Sequence, residues 1–242
     1  AFTINANAPG VMAEWAAAHG AKLVHYSTDY VFDGELKGSY TEADVTAPLN
    51  VYGASKLAGE QAIFAAINSA SALANTRAGA AAQAWVFRTT WVYAAHGNNF
   101  LKTMLRLGQE RDALSVVNDQ FGAPTSANWI ADVTARLIEQ HGIGQAPVSG
   151  LYHLAAAGDT HWQGYAQYVL TQAARLGMTL KVSADQVTGI PASAYPTPAK
   201  RPMNSRLNSE PLMQALSLQA SDWREGVLAV VEELMGQGKS VL

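Results

Sequence analysis

Apolar and polar positions along this chain switch between a helical and a strand period from one end to the other. From Pro9 to His19, Val11, Met12, Trp15 and Ala16 recur at helical spacing, and Gly20 follows as a C-terminal stop, so a helix is expected there. Ala21 to Tyr26 (AKLVHY) reads as a short strand. Helix start signals return near Asn50, and Leu57, Ala58, Ala62, Ile63 and Ala66 carry an apolar stripe to about Asn68. Ser69 to Ala84 is rich in Ala, Ser and Gly with little periodicity, and reads as a helix extension or mobile loop rather than a domain boundary. Beyond it the pattern predicts a strand at Ala84–Arg88, a helix at Asn99–Gln109 and a strand at Leu114–Asn118. A helix from Ser126 to Gln140 follows, capped by Ser126 or Thr125. Gly150–Ala155 reads as a strand, His161–Leu176 as a helix, the Pro-rich run from Ile190 to Pro202 as irregular, and Trp223–Met235 as a closing helix. Strands separated by helices predict an α/β fold built on a mostly parallel sheet covered on both faces.

Composition narrows the class. The 242 residues, 49% hydrophobic and 14% charged, can bury a substantial core as one large or two small domains. A formal net charge of -3 implies no surface for nucleic acid. The absence of cysteine excludes disulfides, thiolate metal sites and a Cys nucleophile, and fits a reducing cytoplasm. No apolar run reaches the roughly 18 residues that span a bilayer. The opening AFTINANAPG lacks the basic-then-apolar pattern of a signal peptide and reads like the middle of a domain. The six histidines show no HxH or HxxxH spacing, so a zinc site has no support.

Candidate chemistry gathers around one strand end. In open parallel sheets, ligands bind beyond the carboxyl ends of the strands. Thr28 stands just past such an end, and Tyr52 and Lys56 sit in the first two turns of the following helix. Positions i and i+4 share a helix face, so the phenol and the ammonium can reach the same ligand. A free phenol titrates near 10, and a nearby cation favours the phenolate, bringing proton transfer closer to neutral pH. Tyr52 can then give its proton to a carbonyl oxygen as hydride arrives at the carbon, with Thr28 holding that oxygen. Alone, the Tyr-x-x-x-Lys pair is equally an exposed helix contact; its neighbours raise it to a candidate site.

Those neighbours carry a resemblance. HYSTDYVFDG (His25 to Gly34), APLNVYGASKLAGE (Ala47 to Glu60), FRTTWVYA (Phe87 to Ala94), GNNF (Gly97 to Phe100), NDQFGAPT (Asn118 to Thr125), GLYHL (Gly150 to Leu154) and RPMNSRL (Arg201 to Leu207) stand in order along the chain. Together they resemble the dTDP-4-dehydrorhamnose reductase family of the extended short-chain dehydrogenase/reductase superfamily. The resemblance implies a Rossmann-like doubly wound parallel sheet with a smaller C-terminal α/β region for substrate. Residues 1–120 would then be the remainder of the NADP-binding domain and 121–242 mainly the sugar-nucleotide region, with the chain crossing between them. It implies NADPH-dependent reduction of dTDP-4-dehydro-L-rhamnose to dTDP-L-rhamnose, with NADH left open as donor. On that basis Tyr52 matches the proton donor, Lys56 the partner that binds the nicotinamide ribose and tunes Tyr52, and Thr28 the hydroxyl that positions substrate. Tyr26 falls where the family lines the cofactor, and Asp29 and Trp91 where it contacts the sugar nucleotide. Asp29 also has a reading as a turn cap, and Trp91 and Tyr26 as core. Arg201 and Arg206 are candidates for the diphosphate, which guanidinium forks suit well. Magnesium at a subunit contact and a homodimer are within the family's range, but no metal ligands are assignable. A nucleotide-sugar epimerase or dehydratase is an alternative, lowered because no Glu follows Thr28-Asp29. A non-catalytic regulatory subunit of the same family is another.

One departure stands at the front. The family begins with a glycine-rich strand-to-helix turn that lays backbone N–H groups on the cofactor pyrophosphate, and no such turn occurs here. Residues 1 to 20 resemble the helix before the family's fourth parallel strand, so two βαβ units, on the order of 70 residues, are expected to be missing. Either the sequence omits residues that the real molecule has, or the chain is a fragment; a true fragment is expected to expose an apolar face, to bind NADPH weakly and to dissolve poorly. A thermal-shift titration with NADPH should therefore move the 242-residue chain little, and clear saturable stabilisation would refute the expectation.

Overall fold

The computed structural model describes residues 1–74 and 82–238, and within them helices and strands alternate as the periodicity requires. A π-helical turn at Thr3–Asn7 leads into helix α1 (Ala8–His19). That helix stops at Gly20, whose φ of 65° is a left-handed cap that glycine adopts without strain. Strand β1 (Lys22–Thr28), helix α2 (Val51–Ala74), strand β2 (Gln83–Thr89) and strand β3 (Val92–Tyr93) follow. Next come helix α3 (Phe100–Glu110), strands β4 (Leu114–Val117), β5 (Phe121–Gly122) and β6 (Thr125–Ser126), and helix α4 (Ala127–Gly142). The chain continues through strands β7 (Gly150–His153) and β8 (Thr160–His161), helix α5 (Trp162–Arg175) and strand β9 (Val187–Ile190). Helices α6 (Glu210–Leu216) and α7 (Trp223–Gly238) complete it.

The long elements fall where the pattern places them, to within a few residues at their ends. Thr28, expected just past β1, is its last residue. The sequence pattern does not foresee β9, α6 or the two-residue strands, which are too short to show a period and are held by their partners. The stretch from Ser69 to Ala84 begins as an extension of α2 to Ala74 and ends in β2; its middle, 75–81, lies outside the described residues.

Strands β1, β2 and β7 form a parallel sheet in that order, with Thr28 opposite Thr89 and Arg88 opposite His153. Side chains alternate across it. From β2, Ala84 and Val86 pack with Ala13 of α1 and Ile63 and Ile67 of α2. On the other face Trp85 and Phe87 pack with Ile130, Val133 and Leu137 of α4 and Leu212, Met213 and Leu216 of α6. A second core joins α3, α5 and α7 to the parallel β4–β9 pair, around Leu101, Leu114, Tyr165, Val169, Leu170 and Val227. The two cores draw on both halves of the chain: α3 and β4 contribute to the second, whereas α4, β7 and α6 return to the first. A small cluster of Val31, Phe32, Tyr40, Ala155 and Leu207 joins early and late segments.

Helix α1 forms where the periodicity predicts it, and it buries its small face. Its buried face is the small one, Pro9, Gly10, Ala13 and Ala16, while Val11, Met12 and Trp15 are exposed. The small residues allow close approach to α2, where a Cβ on Gly10 would already press on Ala62. The large apolar side chains thus lie outward, beside β1 at the edge of its sheet, with a hollow of about 420 Å³ between them.

Leu170 is fully buried in the second core. Leu170→Ala should cost about 2–5 kcal/mol of unfolding free energy, part transfer and part cavity. Urea denaturation reads the loss, and a change below about 1 kcal/mol would contradict the packing described.

Candidate active site

The site forms where the end of β1 meets the start of α2. At the end of β1, Thr28 Oγ1 accepts from the Tyr30 amide at 3.2 Å and donates to Asp29 Oδ1 at 3.1 Å, capping the 3-10 turn Asp29–Val31. The first turn of α2 lies directly on that turn: a Cβ at Gly53 would overlap the Tyr30 carbonyl, so only glycine fits. Asn50 holds the helix start, accepting from the Gly53 amide at 2.9 Å and donating to the Lys200 carbonyl at 2.9 Å. This contact brings the Tyr52 phenol close enough to the Thr28 hydroxyl for that hydroxyl to pull its pKa down. The Tyr30 ring meets Tyr52 edge-on, 5.7 Å between centroids. Tyr52 remains 47% exposed, so a ligand can reach it.

Lys56, one turn on, folds back on β1, donating to the Tyr26 carbonyl at 2.5 Å and lying 3.3 Å from His25 Nε2. Burial lowers its pKa, and the Glu60 carboxylate opposes this. Burial also pushes the Tyr52 phenol up, Thr28 pulls it down, and Asp29 adds to the rise. The expectation that Lys56 draws Tyr52 toward the phenolate is therefore corrected: burial dominates, and the ammonium is directed to the strand backbone. A raised pKa keeps Tyr52 protonated at neutral pH, which a proton donor requires. Burial raises Asp29 to about 6, against the hydroxyls of Ser205, Thr28 and Thr90. Burial, then the Lys56 charge, lowers His25 to about 4, and burial, then the Arg88 charge, lowers His153 to about 3.

The other expected residues are placed unequally. Tyr26 offers its carbonyl to Lys56, while its phenol crosses to the opposite sheet face and pairs with Thr134 at 2.8 Å. Asp29 is buried beside Thr28, and Arg201 lies close enough for its charge to act on Tyr30. Trp91 stacks on Trp162 with 3.6 Å between centroids, in a left-handed backbone (φ 45°) that a bulky residue rarely adopts. Arg206 is committed elsewhere: it pairs with Asp159 at 3.0 Å, Asn204 at 2.8 Å and the Lys37 carbonyl at 2.9 Å. It lines a cleft of about 590 Å³, with Asp159, Asn208 and Glu210, that none of Thr28, Tyr52 and Lys56 borders. Sequence reasoning missed Asn50, Glu60, Arg88 and Ser205. Glu60 and Arg88 are legible only as a charged residue within a helical stripe and another within an apolar strand, and no sequence signal marks Ser205.

Tyr52 and Lys56 stand on one face of α2, near the carboxyl end of β1. No glycine-rich turn for a dinucleotide's pyrophosphate accompanies them in the sequence. Among the described residues no group of three or more His, Asp or Glu side chains converges to hold a metal ion, so magnesium gains no support. Among the same residues no helix is long and apolar enough to cross a membrane.

A parallel sheet with Tyr, Lys and Thr gathered past the end of one strand defines a Rossmann-like reductase of the extended short-chain dehydrogenase/reductase class. The family model described as the RmlD substrate binding domain matches residues 1–235. The chain is 46% identical over 231 residues to the dTDP-4-dehydrorhamnose reductase of Escherichia coli K12, covering 96% of this chain and 72% of that protein. It is 42% identical over 241 residues to the enzyme of the same name from Burkholderia thailandensis, covering 98% and 76%. Among solved structures, the dTDP-4-dehydrorhamnose reductase of Clostridium acetobutylicum superposes with a TM-score of 0.81 at 32% identity, covering 97% of this chain and 73% of that one. The Bacillus anthracis enzyme in complex with NADP superposes with a TM-score of 0.78 at 33% identity, covering 96% and 73%. The chain belongs to the dTDP-4-dehydrorhamnose reductase family.

The buried titratable groups set a pH dependence with a definite sign. His25 and His153 titrate lower folded than unfolded, so the stability they contribute is present above about 6.5 and lost as pH falls toward about 4 and about 3. Asp29 titrates higher folded than unfolded, so its contribution is present at low pH and lost as pH rises through about 6. Between pH 6 and 4 the two histidines outweigh the one carboxylate, and unfolding free energy should fall on acidification. His153→Gln should flatten that fall and Asp29→Asn steepen it. Urea titrations at several pH values measure both slopes, and an unaltered slope in His153→Gln contradicts the assignment.

Proposed function

We propose that this chain carries the proton-donating site of an NADPH-dependent reductase acting on the C4 ketone of dTDP-4-dehydro-L-rhamnose, giving dTDP-L-rhamnose. The observation that carries the reading is the meeting of Thr28 and Tyr52 across the β1–α2 junction, with Lys56 on the same helix face. The names of the relatives support the substrate, and the NADP complex of the Bacillus anthracis enzyme supports the cofactor.

NADPH, when bound, supplies the hydride that adds to the ketone carbon. The chain's own residues handle the proton. Tyr52, kept protonated by its surroundings, gives its phenolic proton to the ketone oxygen as the C–O π bond breaks, leaving an alcohol and a phenolate. Thr28 places its hydroxyl beside that oxygen and, by donating to the phenolate, offsets the charge left on Tyr52. The Lys56 ammonium stands one turn away, ready to bind a ribose hydroxyl and to stabilise the same charge. Asp29 beside Thr28, Arg201 near Tyr30, and Trp91 stacked on Trp162 are the residues we assign to the sugar nucleotide. Arg206 reaches it only by releasing Asp159 and Asn204. In this reading residues 1–120 serve mainly the cofactor and 121–242 mainly the sugar nucleotide.

An NADPH-oxidation assay with the dTDP-4-keto sugar, on the full-length gene product, tests the assignment. Tyr52→Phe keeps the ring but removes the proton and should lower kcat about 10²–10⁴-fold with little change in melting temperature. Turnover unaffected by Tyr52→Phe removes Tyr52 from the role, and absence of turnover in the parent protein removes the reductase reading.

A further inference from the structure

Glu60 stands one turn beyond Lys56 and about two beyond Tyr52 on α2, yet it is only 3% exposed. Its carboxylate accepts from Arg88 Nη2 at 2.7 Å and Arg88 Nε at 3.0 Å, and from the Ser27 hydroxyl. Ser27 immediately precedes Thr28 on β1, and Arg88 lies opposite it in register on β2. Both point to the α2 face because neighbouring residues of a strand alternate sides. One buried carboxylate thus ties together the strand that ends in Thr28, the central strand of the sheet and the helix that carries Tyr52.

We propose that Glu60 is a positioning residue for the proton-donating site, fixing the end of β1 against α2 so that Thr28 approaches Tyr52, and setting an anion one helix turn from the Lys56 ammonium. The inference rests on the reading of Thr28, Tyr52 and Lys56 given above. Thr28 and Tyr52 lie on different elements, so their approach depends on how β1 and α2 sit together. The Ser27–Glu60 bond is a side-chain tie between those elements immediately before Thr28, beside the one that Lys56 makes to the Tyr26 carbonyl. A bidentate guanidinium–carboxylate pair is stiffer than a single hydrogen bond, so it suits that task. The titratable groups facing Lys56 are His25 from β1 and Glu60 on its own helix. His25 is held neutral, and the Tyr26 carbonyl bears only a partial charge. The Glu60 carboxylate is therefore the full negative charge that acts on the ammonium.

Proton NMR correlated to [ε-13C]lysine reads Lys56 directly and needs no turnover, with Lys56→Arg assigning its signal. Glu60→Gln should move the Lys56 midpoint to lower pH, by about half a unit or more, roughly a threefold change in proton affinity. Ser27→Ala leaves the charge in place and should leave the midpoint unmoved. If Glu60→Gln does not fold, Glu60→Met combined with Arg88→Met, an uncharged pair, should move the midpoint in the same direction but by less, because the Arg88 cation leaves together with the carboxylate. In turnover, both Glu60→Gln and Ser27→Ala should lower kcat at least tenfold with KM held. An unmoved midpoint in the folded Glu60 variant, or an equal movement in Ser27→Ala, overturns the electrostatic role; unchanged kcat in both variants overturns the positional one. A displaced Lys56 midpoint in a protein whose parent lacks turnover sinks the reductase reading and leaves the electrostatic link between Glu60 and Lys56 intact.

Discussion

A guanidinium buried in the central strand of a parallel sheet needs an anion, and the pairing of Arg88 with Glu60 is the constraint around which the site is arranged. Both side chains are 4% exposed. A charge removed from water to this extent is tolerated only when its partner is close and well aligned, and losing either partner leaves the other stranded at a cost of about 3–5 kcal/mol. The pair consequently allows one seating of α2 on β2. Because Ser27 donates to the same carboxylate, β1 is included in that seating. The face that elsewhere holds Ala84, Val86, Ile63 and Ile67 thus changes from oil to ions toward the end where chemistry is expected. Apolar contacts slide with little penalty, whereas a bidentate ion pair does not.

A second constraint closes the site from the far end of the sequence. The segment from Lys200 to Asn208 returns to the first sheet and threads between two earlier loops. It accepts from Asn50 at the start of α2, exchanges backbone hydrogen bonds with Phe121 and Tyr40, and through Asn204 holds the carbonyls of Leu36 and Gly38. A Cβ at Gly34 would strike Pro202 and Met203, so the loop and the returning segment lie backbone against backbone. This contact delivers the Ser205 hydroxyl to the buried Asp29 and the Arg201 charge to Tyr30. The Lys200–Asn208 segment and the β1–α2 junction are joined by packing rather than by chain proximity.

Much of this arrangement was legible in the sequence where a period or a short spacing carries it. Tyr52 and Lys56 share a helix face and Thr28 ends an apolar strand, so the placing of each on its own element follows from local geometry, whereas the approach of Thr28 to Tyr52 depends on how β1 and α2 pack. The reading failed where burial or a distant partner decides. Val11, Met12 and Trp15 recur at helical spacing, but which face of α1 is buried was not legible: the small face of Gly10 and Ala13 packs on α2 and the large side chains are exposed. Lys56 was expected to lower the Tyr52 pKa, yet its ammonium is taken up by the Tyr26 carbonyl, and burial of the phenol prevails. Arg201 and Arg206 looked equivalent five residues apart, and the fold sends one toward Tyr30 and the other into an ion pair with Asp159.

What the sequence by itself determined is the succession of helices and strands, the α/β class and the i, i+4 placing of Tyr52 and Lys56 on one helix face, since each rests on interactions within a few residues or on a repeating period. Tertiary structure alone decided the charge states and the company of those residues. The elevation of Tyr52 and Asp29, the neutrality of His25 and His153, and the tie from Glu60 to Ser27 and Arg88 depend on desolvation and on contacts between strands far apart in the chain. Those quantities do not exist until the sheet has formed and water has been excluded from its α2 face.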